Sequence, residues 1–304
     1  MYYFIVNPAS CSGKGRSIWT QIKIELSRRN LSYQYAFTQK PGDAACIAAS
    51  FSSDSPCTII AVGGDGTANE VLNGLCLKNK ICFGYIPTGS SNDLARGLGI
   101  PSDPLEALSC ILDSPKFTFM DIGIIKDASH QKRFAVSSGI GFDAGICHEA
   151  FHSPVKSILN RFHLGRLTYT VIAVHQLFAV KRSPMKLTLD KKETFFFKKA
   201  YMAAIMNHPC EGGGIHFCPD ASCYDGAFDI CIIEGLPRIA AAVVLLSVFR
   251  KKHTKSRHVH IFRCRTARIK TKDFLPVHMD GEVFGICRDI SVSVMNQKLC
   301  IISK

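Results

Sequence analysis

Three times in the first third of the chain, an apolar run rich in β-formers stops at small or glycine residues, and an amphipathic stretch follows. "YYFIVN" leads into "PASCSGKG", "TIIAVGG" into "DGT", and "CFGYIPTG" into "SSND". Helical spacing then recurs around 18–26, 69–77 and from Asn92 or Asp93, with one more helical stretch at 44–51. Strand, helix, strand in this order predicts a parallel sheet covered by helices, because parallel strands need a long crossover. Ligands of such sheets bind beyond the carboxyl ends of the strands, so the three loops are expected to converge on one edge.

From about Met120 the texture changes to β-like runs separated by Gly, Pro and Asp turns, which predicts a second, mainly β domain. A helical insertion is expected over 154–180. The longest apolar run, "IAAAVVLLSVF", has eleven residues, well short of the roughly 20 a helix needs to cross a bilayer. The start of the chain reads as a strand rather than a secretory leader, so export is not expected. The fourteen cysteines include no C-x-x-C pair and are read as reduced, small hydrophobes. His208, Cys210, His216, Cys218 and Cys223 fall close together, but their spacing fits none of the usual zinc patterns.

The formal charge of +13 is uneven: residues 250–272 hold ten Lys or Arg and no acid, directly after the apolar run. An apolar helix followed by cations suits an anionic membrane surface. Alternation in "HVHIFRCRTARIKT" equally suits strands whose charges only solubilise a face. Nucleic acid is not expected as a partner.

Each loop has a phosphate-binding reading. Gly63-Gly64-Asp65-Gly66 joins a buried strand to a helix N-terminus, where backbone N–H groups and the dipole attract anions and glycine permits close approach. Thr67 as a plain N-cap, with Glu70 closing a capping box, is the alternative. The first loop places Ser10, Ser12, Gly13 and Lys14 before a helix, but it is not a Walker A loop, since G-x-x-x-x-G-K-[ST] is absent. Asp93 falls in the first turn of the third helix, where an acid suits the dipole without any ligand. Asp-Gly pairs in "PDASCYDGAFDI" and "VHMDGEVFG" are hairpin signals. They also make Asp225, Asp280 and Glu282, with Asp65 and Asp93, the candidate carboxylates for Mg²⁺ or for an acceptor hydroxyl.

Taken together, "NPASCSGKG", "GGDGTANEVLNGL", "PTGSSNDLARGLGIP", "SSGIGFDAGI", "EGGGIHFCPDASCYDGAFDI" and "HMDGEVFG" resemble, in this order, the soluble diacylglycerol kinase-like lipid kinases. GGDGT alone would be shared with NAD kinases; the later motifs narrow the resemblance. It implies a phosphofructokinase-like α/β nucleotide-binding domain over 1–122 plus 286–304, with the C-terminal segment returning to it after Gly285, and a β-sandwich lipid-binding domain over 123–285. ATP contacts are implied for Asn7, Ser10, Thr38, Gly63, Gly64, Asp65, Gly66, Thr67, Asn69, Glu70, Ser90, Asn92 and Asp93. The resemblance implies Mg²⁺ at Asp225, with main-chain carbonyls near Ser222 and Ala227. It assigns the proton acceptor to Glu282, with Asp280 as rival and Asp65 as an organiser of nucleotide and magnesium. Cys11, Ser90-Ser91, Ser222 and Ala227 depart from the family pattern, yet no acid is lost. The implied reaction is ATP-dependent phosphorylation of diacylglycerol or a related lipid to phosphatidic acid, at the inner face of an anionic membrane reached from the cytoplasm. NAD kinase-like activity on a soluble acceptor, or a non-catalytic lipid-binding homologue, is the alternative. A homodimer stays open as the assembly.

Overall fold

The computed structural model describes residues 1–54, 56–78, 80–113, 115–152 and 165–303, with the backbone alone for 151, 152 and 165–171. The chain divides into two units, Met1–Ile122 with Met295–Lys304, and Gly123–Val294.

In the first unit, strands β1 (Tyr2–Val6), β2 (Tyr33–Phe37), β3 (Cys57–Gly63), β4 (Ile81–Pro87), β5 (Lys116–Met120) and β15 (Leu299–Ser303) form one sheet in the order β2-β1-β3-β4-β15-β5. All neighbours are parallel except β15 and β5. Helices α1 (Gly15–Arg28), α2 (Asp43–Phe51), α3 (Asp65–Gly74), α4 (Asp93–Leu98) and α5 (Pro104–Leu112) connect the strands. Trp19, Ile22 and Leu26 form one stripe of α1 and pack with Phe4, Val6, Ile60 and Val62, the helical spacing that buries a single face. The start of α5 is set locally: the Asp103 carboxylate accepts from the N–H groups of Leu105 and Glu106, and Pro104 takes the first helical position.

The second unit holds β6 (Gly123–Lys126), β7 (Gln131–Phe134), β8 (Ser137–Gly141), β9 (Ser183–Leu189), β10 (Glu193–Met206), β11 (Phe228–Glu234), β12 (Val259–Cys264), β13 (Thr266–Met279) and β14 (Glu282–Val294). Their order is β12-β11-β10-β8-β13-β14-β6-β7, with β9 pairing both β10 and β13. Alternate residues of β10 enter two cores. Ala203 and Ile205 join one with Ile230 and Ile232, while Met202, Ala204 and Met206 join the other with Cys231 and Ile233. The second core is closed by Phe142 of α6 (Phe142–His152), Leu177 of α7 (Gly165–Ala179), and Ala241 and Val248 of α8 (Arg238–Val248).

Three expectations shift. The return to the first unit comes at Met295 rather than after Gly285, because β14 continues against β13, with Ile290 opposite Ile269 and Val292 opposite Ala267, all buried. On arrival, Lys298 Nζ lies 3.0 Å from the buried Asp121 carboxylate. The helical insertion begins at Phe142, directly out of β8, and residues 153–164 lie outside those described. Asp225-Gly226 is not a hairpin: residues 216–227 form turns and irregular chain before β11.

Gly74 tests the packing of α2 on α3. Alanine in a helix is ordinarily more stable than glycine, but a Cβ at Gly74 would lie 2.1 Å from the Ala45 carbonyl oxygen. Gly74→Ala is therefore expected to destabilise by about 1–3 kcal/mol, read as a lowered urea midpoint. A raised midpoint would refute this packing.

Candidate active site

The order β2-β1-β3 makes the chain leave β1 toward one side of the sheet and re-enter on the other, so the switch point lies between the ends of β1 and β3. Four hydrogen bonds join the three loops there. Asn7 Nδ2 donates to Thr67 Oγ1 at 3.1 Å, and Thr88 Oγ1 donates to Ser10 Oγ at 2.7 Å. The Thr88 N–H reaches the Gly63 carbonyl at 2.7 Å, and the Leu94 N–H reaches Asp65 Oδ1 at 3.4 Å. Cys11, Ser12 and Gly13 all have positive φ, and Gly15 begins α1 where a Cβ would stand 2.3 Å from the Asn7 carbonyl oxygen. A tight reversal and a close backbone approach thus fix the first loop.

Gly64 and Gly89 are the centre of this arrangement. A Cβ on Gly89 would lie 2.7 Å from the Gly64 Cα, and one on Gly64 would lie 3.2 Å from the Gly89 Cα. Two backbones meet there without side chains, and α3 starts at Asp65 with no side-chain cap from Gly64. Its first-turn N–H groups and positive dipole end face this glycine-lined junction, the arrangement that binds phosphate. Asn92, at φ 50°, closes the third loop: its Oδ1 accepts from the Gly89 N–H and its Nδ2 donates to the Gly89 carbonyl, both at 2.9 Å. Burial, then the charges of Asp65 and Asp93, push the Tyr85 phenol well above its usual range. Both acids therefore share the neighbourhood of one buried ring.

Not every expected residue comes to this junction. Glu70 forms no capping box with Thr67; its carboxylate accepts from the N–H groups of Gly42 and Ala44 and holds the start of α2. Asn69 is buried in the second turn of α3 and accepts from Asn73. Thr38 follows β2, where its N–H reaches the Val6 carbonyl, and Ser90 lies exposed at the tip of the third loop. Thr88, Gly89 and Tyr85 were missed as individuals, although the first two stand inside the legible "PTGSS".

In the second unit, Asp280 and Gly281 form a left-handed turn, at φ 47° and 79°, between β13 and β14. The Asp280 carboxylate accepts from the N–H groups of Ala135, Val136 and Ser137 at 2.8, 2.8 and 3.1 Å. Three N–H donors tie this carboxylate to residues 135–137. Glu282 is half-buried at the first position of β14.

Beside this turn lies a group that sequence spacing did not indicate. His278 Nε2 is 3.3 Å from Asp143 Oδ2 and 3.9 Å from Glu211 Oε2, all three side chains are buried, and Ser137 Oγ donates to Glu211. Burial opposes charging His278, but Asp143, Glu211 and Asp280 outweigh it and hold its pKa up at about 9. The Gly281 N–H sits 3.4 Å from Nδ1, too long to keep the ring neutral against two carboxylates. Gly139 permits the contact: a Cβ there would fall 2.0 Å from Asp143 Oδ2. Among the described residues these three alone place their ligand atoms within 4.8 Å of one another. Glu211 comes from the His- and Cys-rich stretch whose own thiols and imidazoles form no such group there. His208 of that stretch is sealed, and burial alone lowers its pKa to about 4.

Asp225 pairs with Arg263 at 2.6 Å and accepts from the Ala227 N–H at 3.1 Å. Burial, and then Asp225 and Asp220, raise the pKa of neighbouring Asp229 despite Arg263, so the loop has negative charge that a cation would relieve. The fit to Mg²⁺ is partial, because Arg263 already occupies one oxygen of the carboxylate. A cleft of about 610 Å³ also opens in this unit, lined by His148 and Glu149 of α6, by Val180, and by Phe274, Pro276 and Ile286 of β13 and β14. Its size suits a small-molecule or acyl ligand.

Comparison with known proteins agrees with this division. Residues 1–123 match the diacylglycerol kinase catalytic domain, and residues 145–303 match the YegS C-terminal NAD kinase beta sandwich-like domain. The chain is 31% identical over 290 residues to "Putative lipid kinase YtlR" of Bacillus subtilis strain 168, covering 93% of this chain and 94% of that protein. A "Diacylglycerol kinase" of Staphylococcus saprophyticus is 27% identical over 282 residues, 92% and 88% of the two chains. A crystal structure of a "putative diacylglycerol kinase" from Bacillus anthracis str. Sterne superposes with TM-score 0.80 at 23% identity, covering 100% of this chain and 95% of that one, a likeness of fold. The fold and loops define a kinase with an α/β unit and a separate β-rich unit. The chain belongs to the diacylglycerol kinase-like family of lipid kinases.

Two outcomes are expected from the geometry. Gly89→Ala forces Gly64 away, and nucleotide affinity should fall at least about tenfold while the fold survives, measured by titration calorimetry; unchanged affinity would move the phosphate site elsewhere. Because the folded pKa of His278 is raised from 6.5 to about 9, its stabilisation is complete below pH 6.5 and lost as pH rises through 9. Up to about 3 kcal/mol lies in that window. Asp143→Asn should flatten the stability–pH curve between those limits, and parallel curves for the two proteins would rule out the buried pair.

Proposed function

We propose that this chain transfers the γ-phosphoryl group of ATP to a hydroxyl of diacylglycerol or a related lipid, giving phosphatidic acid in the first case, at the cytoplasmic face of a membrane. The supporting observation is the Gly64–Gly89 junction at the uncapped start of α3, which offers backbone N–H groups to phosphates in the kinase family already identified. The loops at Asn7–Ser10, Gly63–Thr67 and Thr88–Asn92 hold the phosphates, while Asp65 and Asp93 organise them through water. A lipid acceptor is favoured over a soluble one by the cleft beside Phe274 and Ile286, whose apolar side chains suit acyl chains and not a dinucleotide.

The acceptor oxygen attacks the γ-phosphorus, the bond to the β–γ bridging oxygen breaks, and ADP leaves with that electron pair. The hydroxyl proton passes to the Glu282 carboxylate. Asp280 is assigned to holding the hairpin, since its oxygens are taken by three N–H donors. Mg²⁺, when bound, would neutralise phosphate charge. Asp225, with carbonyls near Ser222 and Ala227, is the proposed structural site for a second ion once Arg263 moves aside.

The test is labelled ATP with diacylglycerol, sphingosine, ceramide and NAD as acceptors. Label in a lipid supports the proposal; label in NAD alone would replace it with the soluble-acceptor reading; no transfer by folded protein would remove both. Glu282→Gln should cut turnover at least about a hundredfold with its urea midpoint unchanged. Asp280→Ala should instead lose about 1–3 kcal/mol of stability, because three N–H groups lose their acceptor.

A further inference from the structure

Helix α8 is apolar on every side. Ala241 and Val248 are sealed in the core, and Ala240, Ala242, Val244 and Leu245 pack against the same cluster. The opposite face stays in water: Ile239, Val243, Leu246 and Phe249 are 77%, 63%, 70% and 58% exposed. They recur at i, i+4, i+7 and i+10, one continuous stripe running from the first turn to just past the helix end. A contiguous stripe of this kind, unlike single exposed hydrophobics, marks a surface that meets something.

The cations after the helix fall into two groups. Arg263 pairs with Asp225, and Arg268 and Lys270 share Asp289, so three of the five later cations are partnered locally, while Arg265 and Lys272 are exposed. Arg250, Lys251, Lys252, Lys255 and Arg257 are exposed and make no ion pair among the described residues, and Arg238 at the other end of α8 is likewise exposed. No Asp or Glu occurs from Gly235 to Lys272. Lys251 takes a left-handed conformation, at φ 58°, and turns the chain immediately after Phe249. His253 Nε2 then meets the Phe217 carbonyl at 2.9 Å and ties the basic turn to the body of the unit. An apolar stripe is thus bracketed at both ends by unpaired positive charge on a fixed scaffold.

We propose that α8 is an interfacial anchor for an anionic bilayer. Its Ile239–Val243–Leu246–Phe249 face enters the acyl boundary while Arg238, Arg250, Lys251 and Lys252 meet lipid phosphates. At about 16 Å the helix is too short to span roughly 30 Å of hydrocarbon, but it is long enough to lie in the interface. A second copy of this chain is a poorer occupant, because a two-fold contact through the stripe brings the same acid-free cations together. A nucleic acid would use the charge and leave the stripe wet. The anchor deepens the lipid kinase reading by supplying a route to the substrate, and rests on that reading for its purpose only.

The test uses the full chain with vesicles of phosphatidylcholine, with and without phosphatidylglycerol, read by sedimentation. The chain should bind the anionic vesicles and leave them as salt rises from about 0.1 to about 1 M. Ile239→Ser with Leu246→Ser should weaken binding at least about tenfold, and Lys251→Ala or Lys252→Ala roughly fivefold each. Activity on a water-soluble, short-chain diacylglycerol should be unchanged in these variants. Equal binding to neutral and anionic vesicles, or wild-type binding by the double variant, overturns the anchor. So does a solution dimer that the double variant dissociates. Vesicle binding without lipid phosphorylation leaves the anchor standing and removes the kinase reading; phosphorylation of the soluble lipid without vesicle binding removes the anchor alone.

Discussion

The first unit depends on a constraint of handedness. Each crossover between parallel strands must be right-handed, so a chain that goes from β1 to β2 on one side and then to β3 on the other lets its helices diverge above the β1–β3 boundary. The divergence leaves room that no helix fills, and the loops ending both strands must close it. They do so with backbone and small polar side chains, because Gly64 and Gly89 approach too nearly for any Cβ. The phosphate site proposed at the junction rests on that crowding: where side chains cannot enter, N–H groups are what remains to meet a ligand.

The second unit reaches its site by a different route. Asp-Gly at 280–281 is a hairpin signal, and it is a hairpin; the same aspartate also accepts three N–H groups from residues 135–137. Turn propensity and tertiary clamp coincide in one residue, so the carboxylate offered as a rival base also has a structural task. The resemblance already favours Glu282 over Asp280 as proton acceptor, and the clamp on Asp280 gives that preference a physical reason.

How much was legible depends on the range of the contact. Parallel strands, their order of loops and the change of texture near Met120 were readable because apolar runs and glycine turns are local. The Asp143–Glu211–His278 group was not, since its members lie on α6, a glycine turn and β13, with Asp143 and His278 135 positions apart. Nothing in "GFDAG", "CEGGG" or "PVHMD" marks the three as neighbours; only the glycine at 139 hints that something presses on the strand. Glu70 failed in the opposite sense. It fitted a local capping box, but the start of α2 offered two N–H groups, and a tertiary partner won over the local one.

The basic stretch shows why charge counts mislead without pairing. Ten cations without an intervening acid look uniform in sequence, yet acids from elsewhere, Asp225 and Asp289, partner three of those on the strands. Five cations without an ion pair among the described residues cluster where the chain turns after α8, next to side chains that hydrophobicity alone would have buried. Had the helix been packed on both faces, these cations would be an ordinary solvated loop. Had its outer face been polar, the stripe would not exist. Only the two together give a surface that neither water nor a plain polyanion satisfies, and an anionic lipid interface offers both of its halves a partner.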